Sequence, residues 1–339
     1  MIAASDSAET LGMNSWARSM RPVSRHLFSL LLCCSAAIHL ALPGQTTHSW
    51  AAMHVLKTPR LRVGYLDQGA GPRTVVLLHG NFASANWWQR TLKLAPGGIR
   101  LIAPSMRGCG ASSAPRPISR IKDLADDVIS FLEALDVSRC TVVGHSLGGA
   151  IAIELAVLRP DLVSRLELIA PAPGDRLESI RGRSTTLGRA MRLFNPDVPG
   201  SRWALVGLLH LGHAFGTVRS ELRRGLANMM PTADMSAAEF DALLEDAMTM
   251  DPAVVARLYN ALHRWDAREG AGHVRVPTRI LAGGKDALVP RETLELLAEQ
   301  LKVGLEVWPD VGHSPMIEQP AAFVDWLLEA PKLRAVAST

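Results

Sequence analysis

The sequence predicts an α/β protein: a mostly parallel sheet with helices on both faces and a helical segment inserted late in the chain. Two observations carry this reading. From Leu61 onward, short apolar runs closed by turn residues alternate with stretches of helical period, the pattern of strands joined by crossover helices. Between Pro173 and Val276 the alternation stops and the chain reads as helices only, before a strand pattern resumes at Thr278.

Arg62 to Leu66 reads as an early strand, closed by the turn Asp67-Gln68-Gly69-Ala70-Gly71-Pro72. Val75 to Leu78 is a buried strand ending at His79-Gly80, and Leu101 to Ala103 is another, followed by a loop from Pro104 to Gly110. In the next helix Ile121, Leu124, Val128, Phe131, Leu132 and Leu135 share one face, with Lys122, Asp123, Asp126, Asp127 and Glu133 away from it. Thr141 to Val143 is a strand, and Leu147 to Leu158 is a helix apolar on nearly every side, which must therefore be buried. Leu166 to Ala170, Arg279 to Ala282 and Leu305 to Trp308 supply further strands, and Arg291 to Leu301 and Ala321 to Leu328 further helices. Inside the insertion, Trp203 to His210, Ala237 to Met248 and Pro252 to Trp265 carry the helical patterns. The expected divisions are an amino-terminal segment over 1–52, a core over 53–174 and 276–335, and a helical cap over 175–275.

With 339 residues, 48% hydrophobic and 20% charged, the chain has the length and balance of a globular protein with a sizeable core. Its net charge is only +4. The arginines at 181, 183, 189, 192, 202, 219, 223 and 224 recur at irregular spacing and read as solvated helix faces, so no nucleic-acid partner is expected. The four cysteines form no CxxC pair and no Cys/His cluster with ligand spacing, so neither a disulfide framework nor a metal is expected. Cys109 and Cys140 read as free thiols, and His210, His213, His263 and His273 as surface or packing residues.

The amino terminus has a different character. Arg18, Arg21 and Arg25 precede an uncharged run from Leu27 to Leu42 and the breaker Pro43-Gly44, the order of a secretory signal, and the run is short for a membrane span. The competing reading starts the protein at Met53. The first implies an exported protein and the second a cytoplasmic one; neither leaves a stable membrane span in the mature domain, and both predict a mature end between Ala37 and Met53.

The chemistry begins at Gly144-His145-Ser146-Leu147-Gly148, a G-x-S-x-G pattern between a predicted strand and a predicted helix. A serine on so sharp a turn needs small neighbours, and Gly144, Gly148 and Gly149 supply them. The helix that follows also directs its amino end at the site, where developing negative charge is favoured. A serine hydroxyl needs an adjacent base, and His313 follows the last predicted strand. Asp286, directly after the strand Arg279 to Ala282, would hold the imidazole in the right tautomer; Asp175 is the rival acid.

With these motifs in this order, the chain resembles the capped branch of the α/β-hydrolase fold family. The resemblance runs from about Val55 to Ala330 and rests on His79-Gly80-Asn81-Phe82, Arg107-Gly108-Cys109-Gly110-Ala111-Ser112, Gly144-His145-Ser146-Leu147-Gly148-Gly149, Gly283-Gly284-Lys285-Asp286 and Gly312-His313. It implies Ser146, Asp286 and His313 as catalytic residues, and an oxyanion hole made by the backbone N–H groups of Asn81 and Leu147. By the same resemblance His79 braces the oxyanion loop, and His145 occupies a variable position of structural value. A serine nucleophile excludes the branches that use a carboxylate to open epoxides or displace halide. What remains is acyl chemistry on a small molecule with water and no cofactor: a carboxylic ester first, then a lactone, thioester or activated carbon-carbon bond. A slow-turnover small-molecule receptor of the same fold is the other class. Phe82, Trp87 and Trp88, with Met191, Met229, Met230 and Met235 in the insertion, could line an apolar pocket or belong to the core. The position of the insertion, at the sheet edge where α/β sites form, predicts that it governs substrate choice.

Overall fold

A computed structural model describes residues 51–179, 198 and 200–329. The amino-terminal apolar run, the arginines at 181, 183, 189 and 192, and Met191 lie outside the described residues. An eight-stranded sheet is ordered β1 (Met53–Lys57), β2 (Arg62–Gln68), β4 (Ile99–Pro104), β3 (Arg73–Leu78), β5 (Cys140–His145), β6 (Val163–Ile169), β7 (Thr278–Gly283) and β8 (Leu305–Trp308). The pairs β1/β2 and β2/β4 are antiparallel, and every pair from β4 to β8 is parallel. The mostly parallel α/β sheet is thus the one the sequence predicts. Strands β2 to β7 each extend beyond their sequence bounds, β8 coincides with them, and β1 is an addition: its burial pattern is largely exposed, so it lacks the buried alternation that marks the others.

The strands alternate their side chains between two cores, as a period of two requires. Val76, Leu78, Val142, Leu166, Leu168 and Ile280 enter one, and Val75, Leu77, Val143, Ile169 and Leu281 the other. The first core is closed by α2 (Ile121–Ala134) and α3 (Leu147–Leu158), and the second by Trp88, Phe323, Trp326 and Leu327. Helix α3 is buried along most of its length, as its all-round apolarity demands. On α2 one expectation is corrected. Asp127 faces inward and is buried, because Arg107 binds it with two N–H groups at 2.7 and 2.5 Å and Arg60 adds a third at 2.7 Å.

Among the described residues the remaining α-helices are α1 (Gln89–Lys93), α4 (Ser201–Ala214), α5 (Thr217–Met229), α6 (Ala237–Met248), α7 (Pro252–His263), α8 (Arg291–Leu301), the single turn α9 (Pro315–Glu318) and α10 (Pro320–Leu328). Helices α4 to α7 all fall between β6 and β7, where the sequence carries only helical patterns; α5 is an addition to the helices expected there. Arg219, Arg223 and Arg224 are exposed and ion-paired to Glu245, Asp241 and Glu221, which agrees with solvated helix faces. Cys109 and Cys140 are free and buried, and burial pushes both thiols up to about 12. Among the described residues no group of three or more His, Cys, Asp or Glu could hold a metal ion, and no helix is long and apolar enough to cross a membrane.

Strand order fixes where a site can form. The chain winds outward from β3 through β4 on one side and from β5 through β6 to β8 on the other, so the order reverses between β3 and β5. In open α/β sheets ligands bind at the carboxyl ends of the strands flanking such a reversal. Leu78 is in register with Gly144, which sets His79-Gly80 beside Ser146. Gly283 is in register with Trp308, which brings the loops of Asp286 and His313 together.

Candidate active site

Ser146 sits between β5 and α3 with φ 52° and ψ −116°, in the left-handed half of backbone space that non-glycine residues avoid. Such strain costs about 1–3 kcal/mol and persists only where the surroundings enforce it. The surroundings here are glycines and backbone hydrogen bonds. Ser146 N–H donates to the carbonyl of Ile169 at 3.0 Å, and its own carbonyl accepts from Gly149 and Ala172 at 2.9 Å each. A Cβ on Gly144 would lie 2.4 Å from the carbonyl oxygen of Gly148, and one on Gly148 2.2 Å from that of Leu78. The tight turn thus excludes any larger residue at either position. Ser146 is partly exposed.

His313 and Asp286 meet as expected. Nδ1 of His313 donates to Oδ2 of Asp286 at 2.8 Å, with both side chains nearly inaccessible. The second oxygen, Oδ1, accepts from the N–H groups of Leu288 at 2.8 Å and Val289 at 3.0 Å. Burial pushes the Asp286 carboxyl up, but the charge and hydrogen bond of His313 and the two backbone donors outweigh it and hold the pKa below the usual carboxylate value. Nε2 of His313 is buried with no hydrogen-bond partner, so no hydrogen bond joins it to the Ser146 hydroxyl. The rival acid is placed elsewhere: Oδ2 of Asp175 accepts from the N–H of Ser179, and its backbone bridges to Asp266.

The loop after β3 lies directly on the turn that carries Ser146. A Cβ on Gly80 would come 3.2 Å from the Cβ of Ser146 and 3.0 Å from Nδ1 of His145. Asn81 and Phe82 follow, both partly exposed. The N–H of Phe82 donates to the Asn81 side-chain oxygen at 3.0 Å, and Phe82 has φ 55°. Leu147 is the first residue of α3, where helices leave their N–H groups without intrahelical acceptors.

The two other histidines of the site are neutral. Burial lowers the pKa of His79 to about 4; its Nε2 accepts from the N–H of Met106 at 2.9 Å, which leaves Nδ1–H to donate to the Gly80 carbonyl at 2.7 Å. His79 therefore ties the loop after β3 to the loop after β4. His145 is also buried, and burial followed by the charge of His313 holds its pKa well below the ordinary value. Its Nε2–H donates to the carbonyl of His313 at 3.0 Å, and its ring lies flat against Trp87.

The aromatic expectations divide. Trp88 has no exposed surface and packs against Phe323, so it is a core residue and cannot line an accessible pocket. Trp87 is 2% exposed and backs His145. Of the three, Phe82 alone is more than marginally accessible. Met229, Met230 and Met235 pack with the second core. A surface groove of about 590 Å³ lies between α4 and the junction of α6 and α7, lined by Trp203, Val206, His210, His213, Met248 and Met250 among others, and no residue of the site lines it.

Several polar residues around the site were not singled out from sequence. Asp246 on α6 is half-buried and accepts hydrogen bonds from Ser84 and from Asn86, at 3.2 Å for the latter, just beyond the loop carrying Asn81. Glu318 on α9 accepts from the backbone on both sides of His313. Only a carboxylate within an apolar stretch, Pro-Met-Ile-Glu, marks Glu318 in the sequence, and nothing local marks Asp246.

Over 77% of its length the chain is 23% identical to a karrikin insensitive 2 receptor of Petunia hybrida, covering 90% of that protein over 266 residues. It is 29% identical over 280 residues to a 2-hydroxymuconate semialdehyde hydrolase of Pseudomonas, covering 80% of this chain and 92% of that one. An esterase of Exiguobacterium antarcticum superposes with a TM-score of 0.64 at 21% identity, over 80% of this chain and 97% of the other. The model of the alpha/beta hydrolase family matches residues 75–326, most of the chain and all the segments that carry Ser146, Asp286 and His313, and the chain belongs to that family.

Proposed function

We propose that the protein is a serine hydrolase that cleaves a carboxylic ester, or a related acyl bond, of a small apolar substrate through an acyl-enzyme. The observation that carries this reading is the 2.8 Å hydrogen bond from His313 Nδ1 to Asp286, beside a serine held on a strained turn at the carboxyl edge of the sheet. The hydroxyl of Ser146 gives its proton to Nε2 of His313 as Oγ attacks the substrate carbonyl. The N–H groups of Asn81 and Leu147 stabilise the tetrahedral oxyanion. Collapse breaks the acyl–oxygen bond, and the leaving alcohol takes the proton from His313. Water then repeats the sequence on the acyl-enzyme, with His313 again as base, and releases the acid. Asp286 stays ionised throughout and stabilises the imidazolium. The same machinery serves a lactone, a thioester or an activated carbon-carbon bond, so bond type is set by the pocket.

Helices α4 to α7 act in this reading as a cap over the site. A second reading, a receptor that binds a small molecule and turns it over slowly, is favoured by the likeness to the Petunia receptor. A fluorophosphonate tests the first reading: adduct mapping by mass spectrometry should find Ser146 alone modified, and Ser146→Ala should abolish the adduct. A different labelled serine, or full esterase activity in Ser146→Ala, would overturn it. Steady-state turnover of short aryl esters separates enzyme from receptor.

A further inference from the structure

We propose that Glu318 is a positioning residue for His313, and that it ties the histidine loop to the helical segment between β6 and β7. The proposal rests on the reading of His313 as general base. Glu318 is 6% exposed and, among the described residues, no cation pairs with it. A buried carboxylate is costly unless its lone pairs are satisfied. Here every partner is an N–H or O–H group. Oε1 and Oε2 both accept from the N–H of Gly312 at 2.9 Å, and Oε1 also accepts from the N–H of Ser314 at 3.2 Å. Oε2 accepts in addition from the N–H of Thr232 at 3.2 Å and from its hydroxyl at 2.7 Å.

These bonds bracket the base. The N–H groups of Gly312 and Ser314, on either side of His313, are held by Glu318, while the N–H of His313 donates to the carbonyl of Met229 at 2.8 Å. Met229 is the last residue of α5, and Thr232 follows three residues later. Close packing reinforces the join: a Cβ on Gly312 would lie 2.4 Å from Pro231 and 2.8 Å from the Met229 carbonyl oxygen. From the opposite side, His145 donates to the carbonyl of His313. The backbone of the base is thereby fixed by three acceptors and donors outside its own loop, and Glu318 is the one that reaches both the loop and the segment Met229–Thr232. Removing that carboxylate would free Gly312 and Ser314 and let Nε2 of His313 drift from the line of the Ser146 hydroxyl.

Glu318→Gln tests this at constant volume. Both oxygens accept from N–H groups, so whichever way the amide is turned, its NH₂ faces a donor. In the full-length protein, well below its melting transition, the rate of fluorophosphonate labelling at Ser146 should fall about 10- to 100-fold, the scale of a misplacement near 1 Å. Thr232→Val, which removes one hydroxyl on the far side of the carboxylate, should fold normally and slow labelling less. A merely structural Glu318 would lower the melting temperature and leave labelling at the wild-type rate. In a His313→Ala background there is no base to position, so adding Glu318→Gln should leave the residual hydrolysis of an activated aryl ester unchanged. Wild-type labelling in both folded Glu318→Gln and Thr232→Val, or an equal loss in the His313→Ala background, overturns the proposal alone. Wild-type labelling in His313→Ala overturns the parent reading and this one with it.

Discussion

The carboxylate of Asp286 is divided between two duties: Oδ2 accepts from Nδ1 of His313 at 2.8 Å, and Oδ1 accepts from the backbone N–H groups of Leu288 and Val289. The division predicts what Asp286→Asn does. Two backbone donors hold the amide oxygen at the Oδ1 position, so the NH₂ group must face Nδ1 and drive the imidazole hydrogen to Nε2. His313 then has no lone pair toward Ser146. Activity on a short aryl ester should fall by up to about 10⁴-fold, with an unchanged circular dichroism spectrum. A loss below tenfold would mean that His313 is not oriented by this carboxylate.

Glycine substitutions separate turn geometry from site geometry. A methyl group on Gly148 would lie 2.2 Å from the Leu78 carbonyl oxygen and 2.8 Å from that of His79, both backbone atoms that cannot step aside. Gly148→Ala should therefore cost about 1–3 kcal/mol or more in urea unfolding. On Gly80 the methyl group meets the side chains of His145 and Ser146 at 3.0–3.3 Å, which can shift by a few tenths of an ångström. Gly80→Ala should unfold near the wild-type midpoint but react slowly with a fluorophosphonate. Equal effects on stability from both substitutions would contradict this account.

How much of this was legible in the sequence follows from range. Strands β2 to β8 and the helices Leu147–Leu158, Arg291–Leu301 and Ala237–Met248 are local patterns of apolar spacing, legible at or near their observed bounds, whereas the exposed β1 carries no such pattern. The order of the motifs led to the pairing of Asp286 with His313, because each follows a strand and strand ends share an edge. Burial of Asp127 is not legible locally because its partners, Arg107 and Arg60, stand 20 and 67 residues away. Trp88 reads from the sequence as a pocket candidate because an apolar wall and an apolar core have the same composition. Asp246 leaves no local spacing because its bond to Asn86 spans 160 residues, and Glu318, although it bonds Gly312 and Ser314 only six and four residues away, does so through backbone N–H groups that leave no mark in residue type. The inserted segment thus touches both the loop after β3 and the histidine loop. Its wholesale deletion should slow Ser146 itself as well as change substrate preference.

Acid sensitivity should have an identifiable source in His79. Its pKa falls from 6.5 to about 4 in the folded chain because burial of the ring disfavours the charged form and outweighs the hydrogen bond to the Gly80 carbonyl, which favours it. Below pH 6.5 the unfolded chain binds a proton that the folded chain refuses until about pH 4. The contribution of His79 is therefore fully present above pH 6.5 and is lost as pH falls toward 4, at about 1.4 kcal/mol per pH unit. His145, also depressed, acts in the same direction. His79→Gln keeps an acceptor for Met106 and cannot titrate. Urea midpoints measured from pH 7.5 to 4.5 should fall less steeply than in the wild type, and parallel slopes would show that His79 is not responsible.

The final prediction concerns which aromatic residue contacts substrate. Trp88 has no accessible surface and packs on Phe323, whereas Phe82 is partly exposed, has φ 55° and directly follows Asn81. Truncating a buried tryptophan removes many contacts and leaves a cavity, so Trp88→Ala should cost about 3–5 kcal/mol. Its relative rates across esters of increasing acyl length should match the wild type, because nothing that touches substrate has changed. Phe82→Ala should do the reverse. Part of its surface already meets water, so stability should fall less, while preference should shift toward longer or bulkier acyl groups as the wall beside the Asn81 N–H recedes. The measurement is kcat/KM over a series of p-nitrophenyl esters, with unfolding midpoints taken on the same preparations. An altered chain-length profile in Trp88→Ala with an unaltered one in Phe82→Ala would reverse the assignment and move the pocket to the other side of the Ser146 turn.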